Sequence, residues 1–273
     1  GIVTQATLRL TRQPQAYRTF LAVYESVHDS TQTVSDIIAA GIVPAAIEMM
    51  DTLIIRAVEE AFHFGFPTDA GAVLIIELDG LAAGLDPQTA RIMELCKRNC
   101  AREVRVARDE AERTALWKSR KRAFGAVGRL APNYCTQDGV VPRTKVPDIL
   151  RTITSVAEKY QLRIANVFHA GDGNIHPILL YDERNADETE RVVKAGQEIL
   201  KSCVDLGGSL TGEHGIGVEK MGQMPLIFSP EDLLVMSQIR SVFNPESRCN
   251  PNKIIPMPHG CIDVRVPRRQ VPL

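Results

Sequence analysis

Residues 163–181 read RIANVFHAGDGNIHPILLY, two apolar runs on either side of an Asp-Gly pair. Arg163 to His169 and Ile175 to Tyr181 are therefore expected to form the two strands of a hairpin. Asp172-Gly173 suits a two-residue loop, because a type I′ turn needs positive φ at both centres. In that register 171 pairs with 174, 170 with 175, and His169 with His176. The two imidazoles would then share one face, with Cβ atoms about 4.5–5.5 Å apart. That spacing suits a shared metal ion, and a carboxylate such as Glu213 would complete a site of two histidines and one acid.

Outward from the hairpin, strand and helix patterns alternate. Thr19–Tyr24, Ala45–Met50, Ala72–Leu78 and Glu103–Ala107 read as strands, and Val140 lies in another. Thr31–Ala40, Pro87–Cys100, Val146–Tyr160 and Ala186–Leu206 read as helices. So do the segment after Asp51, the segment 109–127 with Asp109 as its cap, and Pro230 to Phe243 after Ser229. Gly1–Leu10 alternates and is rich in β-branched residues, which predicts a strand. It begins abruptly, as if the chain were cut from within a larger protein. Mixed order without a glycine-rich nucleotide loop points to an α+β fold, an antiparallel sheet covered by helices. Two split βαβ units would make it ferredoxin-like, with a C-terminal helical segment after it.

Composition narrows the function. Lysine plus arginine (32) nearly balances aspartate plus glutamate (33), so no electrostatic case for nucleic acid exists. No apolar run approaches the roughly 20 residues of a membrane span. The six cysteines are scattered, without CxxC pairs, and read as free thiols of a reducing compartment.

A second signal is GGSLTGEHGIG at 207–217. Its glycines permit positive φ and close approach of backbone. It lacks both GxxxxGK[ST] and GxGxxG, which argues against a phosphate cradle. Glu213-His214 would place a metal ligand beside a titratable base, a pairing suited to deprotonating a hydroxyl. Bland readings stand beside these. The histidines could merely decorate a hairpin, and Asp172 and Asn174 suit a turn, although Asn174 could also face a substrate. Within Arg120-Lys121-Arg122, one side chain turned inward would bind a carboxylate, while a solvated face is the ordinary alternative. Arg120 lies three residues after Trp117, so the two share a helix face. Asn250 and Lys253 belong to a turn-rich segment, NPESRCNPNK.

HAGDGNIHP, GGSLTGEHGIG and NPESRCNPNKI together resemble the C-terminal domain of FAD-linked oxidases of the vanillyl-alcohol-oxidase type. That family includes D-lactate, D-2-hydroxyglutarate and glycolate dehydrogenases. IEMMD at 47–51, DEAER at 109–113, WKSRK at 117–121 and Asp138 before VPR at 141–143 look most like the FAD-binding subunit of bacterial glycolate oxidases. The likeness fades after about Pro258. It implies a domain over 11–258, a remnant strand of an FAD-binding domain over 1–10, and an irregular tail over 259–273.

The resemblance implies that His169, His176 and Glu213 bind zinc or manganese. It implies that His214 takes the 2-hydroxyl proton and that Arg120 holds the substrate carboxylate. Asn250 and Lys253 would lie near the flavin edge. Phe124 and Thr136 replace a hydroxyl residue and a lysine that grip the acid in some relatives, which fits a smaller substrate. The FAD itself would sit on an N-terminal half of roughly 200 residues, a length typical of one domain. The chain is thus expected to be the substrate- and metal-binding half of a flavin-dependent 2-hydroxy-acid dehydrogenase, inactive alone. Partners would be a short 2-hydroxy acid and an iron–sulphur electron-transfer subunit, with a homo-oligomer left open. The location would be cytoplasmic, or peripheral at the inner membrane through partner subunits. The alternatives are a metal-dependent hydrolase using two His and one Glu, and a non-catalytic interaction module.

Overall fold

In the computed structural model, which describes residues 3–256, the main sheet has seven strands and is antiparallel throughout. In chain order the elements begin with β1 (Ala16–Tyr24), α1 (Val27–Ala39), β2 (Ala46–Asp51) and α2 (Thr52–Phe62). Then come β3 (Ala72–Gly80), α3 (Ala82–Arg98), β4 (Glu103–Val106) and α4 (Glu110–Val127). The second half runs β5 (Asn133–Thr136), β6 (Gly139–Val140), α5 (Val146–Tyr160), β7 (Arg163–Phe168), β8 (Asn174–Ile175), β9 (Pro177–Tyr181) and α6 (Ala186–Asp205).

The sheet order is β4-β1-β3-β2-β7-β9-β5. Each pair of strands joined through α1, α3 or α5 is separated by one antiparallel strand, which is the split βαβ arrangement that the sequence predicts. The first half is ferredoxin-like, with α2 inserted between β2 and β3. The second is a shorter copy of the same plan. The halves join edge to edge where Met49 pairs with Phe168 and Met50 with Val167.

Burial explains why β3 reads as a solid apolar run. Leu74, Ile76 and Leu78 face one way, with Phe20, Ala22 and Met49, into a core closed by α1, α3, α5 and α6. Val73 and Ile75 face the other way, with Leu21, Val23 and Met50, against α2 and α4. A strand buried on both faces loses polar alternation.

Helix starts follow their caps. Asp51 accepts from Ile54 N at 3.1 Å and, from across the sheet, Asn166 N at 2.7 Å. Asp51→Ala removes the cap and orphans a buried strand amide. We expect it to cost about 2 kcal/mol, read as a lower urea midpoint at unchanged slope. A midpoint within error of wild type would contradict this account.

Some expectations need correction. Residues 3–10 are exposed and pair with no strand among the described residues, so the strand predicted over Gly1–Leu10 does not form there. Alternation supplies a face but no partner for the backbone. Helix α1 starts at Val27 rather than Thr31, because Ser26 Oγ accepts from His28 N and Asp29 N. Helix α3 starts at Ala82, ahead of Pro87, because Leu85 is anchored in the core at 1% exposure. β5 has no counterpart in the sequence reading. It is a short edge strand of half-buried residues whose partner β9 is distant in sequence.

Residues 215–256 form a separate unit, described by itself. Its main element is α7 (Pro230–Phe243), opened by a capping box between Ser229 and Asp232. The expected C-terminal helical segment is present. The expected tail over 259–273, with Cys261, lies outside the described residues. Cys96, Cys100 and Cys249 are free thiols, as expected.

Candidate metal centre

Past Phe168 the chain turns over residues 169–173. The His169 carbonyl accepts from Asp172 N at 3.0 Å and the Ala170 carbonyl from Gly173 N at 3.3 Å. Gly171 N donates to Ile47 O at 2.9 Å, which ties the turn to β2. Gly173 has φ +73°, and a Cβ there would lie 2.1 Å from Val141 O, so only glycine fits.

This is not the two-residue type I′ loop. Among the non-glycine residues with positive φ, Asp172 does not appear, and the ladder from Arg163↔Leu180 extends to His169↔Asn174. The pairing has slipped by two from His169↔His176. An even slip preserves side-chain parity. The two rings still converge, with centroids 5.2 Å apart at 85°.

Glu213 arrives from the glycine-rich run. Its Oε1 lies 3.4 Å from His169 Nε2 and 3.2 Å from His176 Nε2. Ligands about 2.0–2.1 Å from a tetrahedral metal stand about 3.3–3.4 Å from one another. Both distances from Glu213 Oε1 thus match the edge of one coordination polyhedron, and the ligand atoms of all three residues lie within 4.8 Å of one another. Glu213 is 55% exposed, which leaves room for further ligands.

The run itself is shaped by a buried acid. Asp138, fully buried, accepts from Thr211 Oγ1 (2.6 Å), Gly212 N (3.0 Å), Glu213 N (3.2 Å) and His214 N (3.0 Å). Ser209 and Val140 exchange backbone hydrogen bonds, and a Cβ on Gly208 would sit 1.8 Å from Val140 O. The backbone thus makes an anion nest, but its anion is the protein's own carboxylate. That accounts for the glycines without a phosphate.

A second acid lies on β2. Glu48 Oε1 is 2.8 Å from His169 Nδ1, and Oε2 accepts from Arg120 Nε at 2.8 Å. Of Arg120, Lys121 and Arg122, Arg120 alone is buried. Its Nη2 is buried and has no hydrogen-bond partner, and the same holds for Asn174 Oδ1 and His176 Nδ1. The Glu48 hydrogen bond pushes the His169 pKa up. Burial, then the neighbouring His169 and His214, push the His176 pKa down, which keeps a lone pair available for a metal. Val140, His169, Asp172, Asn174, Gly212 and Glu213 line a cavity of about 300 Å³. His214 stacks on His176 at 4.9 Å and 9°, and Phe124 meets His176 edge-on at 6.0 Å.

Asp138, His176 and His214 form another group close enough to hold a cation. Asp138 is fully buried and already accepts from four donors of the loop, whereas Glu213 is half exposed, which favours the set of His169, His176 and Glu213. Of its two imidazoles, His169 is hydrogen-bonded at Nδ1 by Glu48 at 2.8 Å, while Asp138 Oδ1 only approaches Nδ1 of His176, at 3.9 Å. The bond from His169 to Glu48 is of the kind typical of metal-binding histidines.

Sequence reading assigned no role to Glu48 or Asp138. A lone acid between Ile47 and Met49 was a legible signal of an inward charge, whereas Asp138 before Gly139 looks like any turn. Asn250 and Lys253 fall in the C-terminal unit, where their carbonyls accept from Arg240.

Residues 13–254 match the family described as FAD linked oxidases, C-terminal domain. The chain is 43% identical over 263 residues to glycolate oxidase subunit GlcD of Escherichia coli (strain K12), covering 96% of this chain and 53% of the relative. It is 39% identical over 254 residues to the subunit of the same name from Bacillus subtilis (strain 168), covering 93% and 54%. The chain thus spans about half the length of the curated relatives it matches. A crystal structure of p-cresol methylhydroxylase with substrate bound shares the fold, with a TM-score of 0.62 at 13% identity over 85% of this chain and 51% of that one.

Proposed function

Since the chain belongs to the family of C-terminal domains of FAD-linked oxidases, we propose that it is the substrate- and metal-binding half of a flavin-dependent 2-hydroxy-acid dehydrogenase. The proposed substrates are short acids, glycolate or D-lactate. The observation that carries this reading is the convergence of His169 Nε2, His176 Nε2 and Glu213 Oε1 beside an arginine with an unpartnered nitrogen. The donor set suits zinc or manganese.

In this reading His169, His176 and Glu213 would hold a divalent cation, which would make the substrate hydroxyl more acidic. A bound flavin would supply the two-electron oxidant. Arg120 takes the substrate carboxylate through its outer guanidinium nitrogens while Glu48 fixes the inner one. Asn174, which lines the cavity, is proposed to face the substrate. His214, 45% exposed, receives the hydroxyl proton. Phe124, one helical turn past Arg120, closes the space beside His176 and favours a short chain.

The glycine-rich run already wraps Asp138, and no other glycine-rich loop of nucleotide-binding form occurs among the described residues. FAD is therefore proposed to be held mainly by the rest of the full-length protein, with Asn250 and Lys253 contributed from this chain. Turnover would need that other part. The word "subunit" in the relatives' names supports a partner, proposed to be an iron–sulphur subunit that takes the electrons. Among the described residues no helix is long and apolar enough to cross a membrane. The proposed location is the cytoplasm, or the inner membrane's surface through partner subunits.

The test is a calorimetric titration of the chain with zinc and with manganese. One cation per chain is expected for wild type and none for His169→Ala. Absence of binding to wild type, or unchanged binding by the variant, rejects the site.

A further inference from the structure

Glu48 sits in an otherwise apolar stretch of β2, with its side chain 9% exposed, and its two oxygens serve different groups. Burying an acid there is costly without full pairing. The sheet register explains how it meets its partners. Met49 pairs with Phe168 across the join between the halves, so Glu48 stands opposite His169. On the same sheet face, α4 delivers Arg120 to the second oxygen.

We infer that Glu48 is a positioning residue that makes His169 a metal ligand by fixing its tautomer, and that Arg120 is what makes a carboxylate, rather than an amide, necessary there. The inference rests on the metal reading above. A carboxylate can only accept hydrogen bonds, so Nδ1 of His169 carries the hydrogen. Nε2 then presents its lone pair toward Glu213 and His176. Arg120 Nε can only donate, and it occupies the other oxygen.

A glutamine at this position has one acceptor and one donor end. Arg120 is charged and claims the acceptor. The amide NH2 is left facing His169 Nδ1, which must then accept. The hydrogen moves to Nε2, and the ligand lone pair is lost. Glu48→Gln therefore blocks the metal atom although it preserves shape. Removing the arginine as well frees the amide oxygen for His169 and restores the original tautomer.

The test uses the metal-free chain labelled with ¹⁵N at histidine, observed by NMR at alkaline pH where the ring is neutral, with zinc affinity measured by calorimetry. Wild type should show His169 with hydrogen on Nδ1. Glu48→Gln should show it on Nε2 and bind zinc about 10–100-fold more weakly, the usual cost of losing such a backing group. The double variant Glu48→Gln/Arg120→Leu should regain the Nδ1 hydrogen and most of the affinity, which a loss of packing alone would not produce. Hydrogen on Nε2 in wild type that still binds zinc overturns the inference and leaves the metal reading standing, with no variant needed. Zinc affinity of Glu48→Gln within twofold of wild type also overturns it. Hydrogen on Nδ1 with no zinc binding to wild type sinks the metal reading and takes the ligand role of His169 with it.

Discussion

In the full-length protein, His214→Ala is expected to slow oxidation of glycolate or D-lactate by about 10²–10⁴-fold, the usual contribution of a positioned base. Flavin and metal content should stay unchanged. Among the described residues His214 is exposed enough to meet a ligand, at 45%, and is held in place from two sides. Its backbone N is fixed by Asp138 at 3.0 Å, and its ring lies flat on His176 at 4.9 Å. Its Nε2 is 3.8 Å from Glu213 Oε1, farther than either of the other two imidazoles. It is therefore proposed to stand beside the cation rather than to ligate it. Anaerobic bleaching of flavin absorbance by the hydroxy acid, with metal analysis of the same sample, reads both quantities. Undiminished bleaching removes His214 from the role of base. Slow bleaching together with lost metal makes it a ligand, which would favour the group of Asp138, His176 and His214.

Asp138→Ala is expected to destabilise the chain by roughly 3–5 kcal/mol and to abolish the cation site. The acid is fully buried and accepts from three backbone N–H groups and one hydroxyl. A charge-assisted hydrogen bond contributes about 1.5–3 kcal/mol, and an orphaned donor costs more. Residues 211–214 are partly exposed, so water can replace some of these bonds. That holds the loss below the simple sum. Glu213 and His214 are both anchored through this acid, so the loop would lose the conformation that presents them. Urea unfolding followed by circular dichroism gives the stability, and calorimetry with zinc gives the site. A loss under about 1 kcal/mol, or unimpaired zinc binding, would show that the loop holds itself.

The sequence carries the layer arrangement because burial writes it directly. β3 is apolar on both faces, and Asp51, Asp109 and Ser229 cap the helices they precede. The hairpin is legible in existence and parity but not in register. Asp-Gly suggests a tight turn, and only the contact of Gly171 with Ile47, contributed by a strand more than a hundred residues earlier, explains the wider one. The same distance in sequence hides Glu48 from His169 and Asp138 from Glu213. His169, His176 and Glu213 could be grouped from their residue types, because metal chemistry restricts the candidates. Their supporting acids could not, since an acid announces no partner. Glycines at 207–217 are read correctly as a close backbone approach, while the thing approached is decided by a residue outside the run.

The join between β2 and β7 has a further consequence. The half-sheets meet there through two paired residues, Met49↔Phe168 and Met50↔Val167. A slip of one residue along this seam would carry Glu48 to the opposite face from His169. Neither half of the sheet contains both the acid and the imidazole. The pairing of Glu48 with His169 therefore exists only when two separately patterned pieces have docked in the correct register, and a misaligned chain would lack the acid behind the proposed ligand.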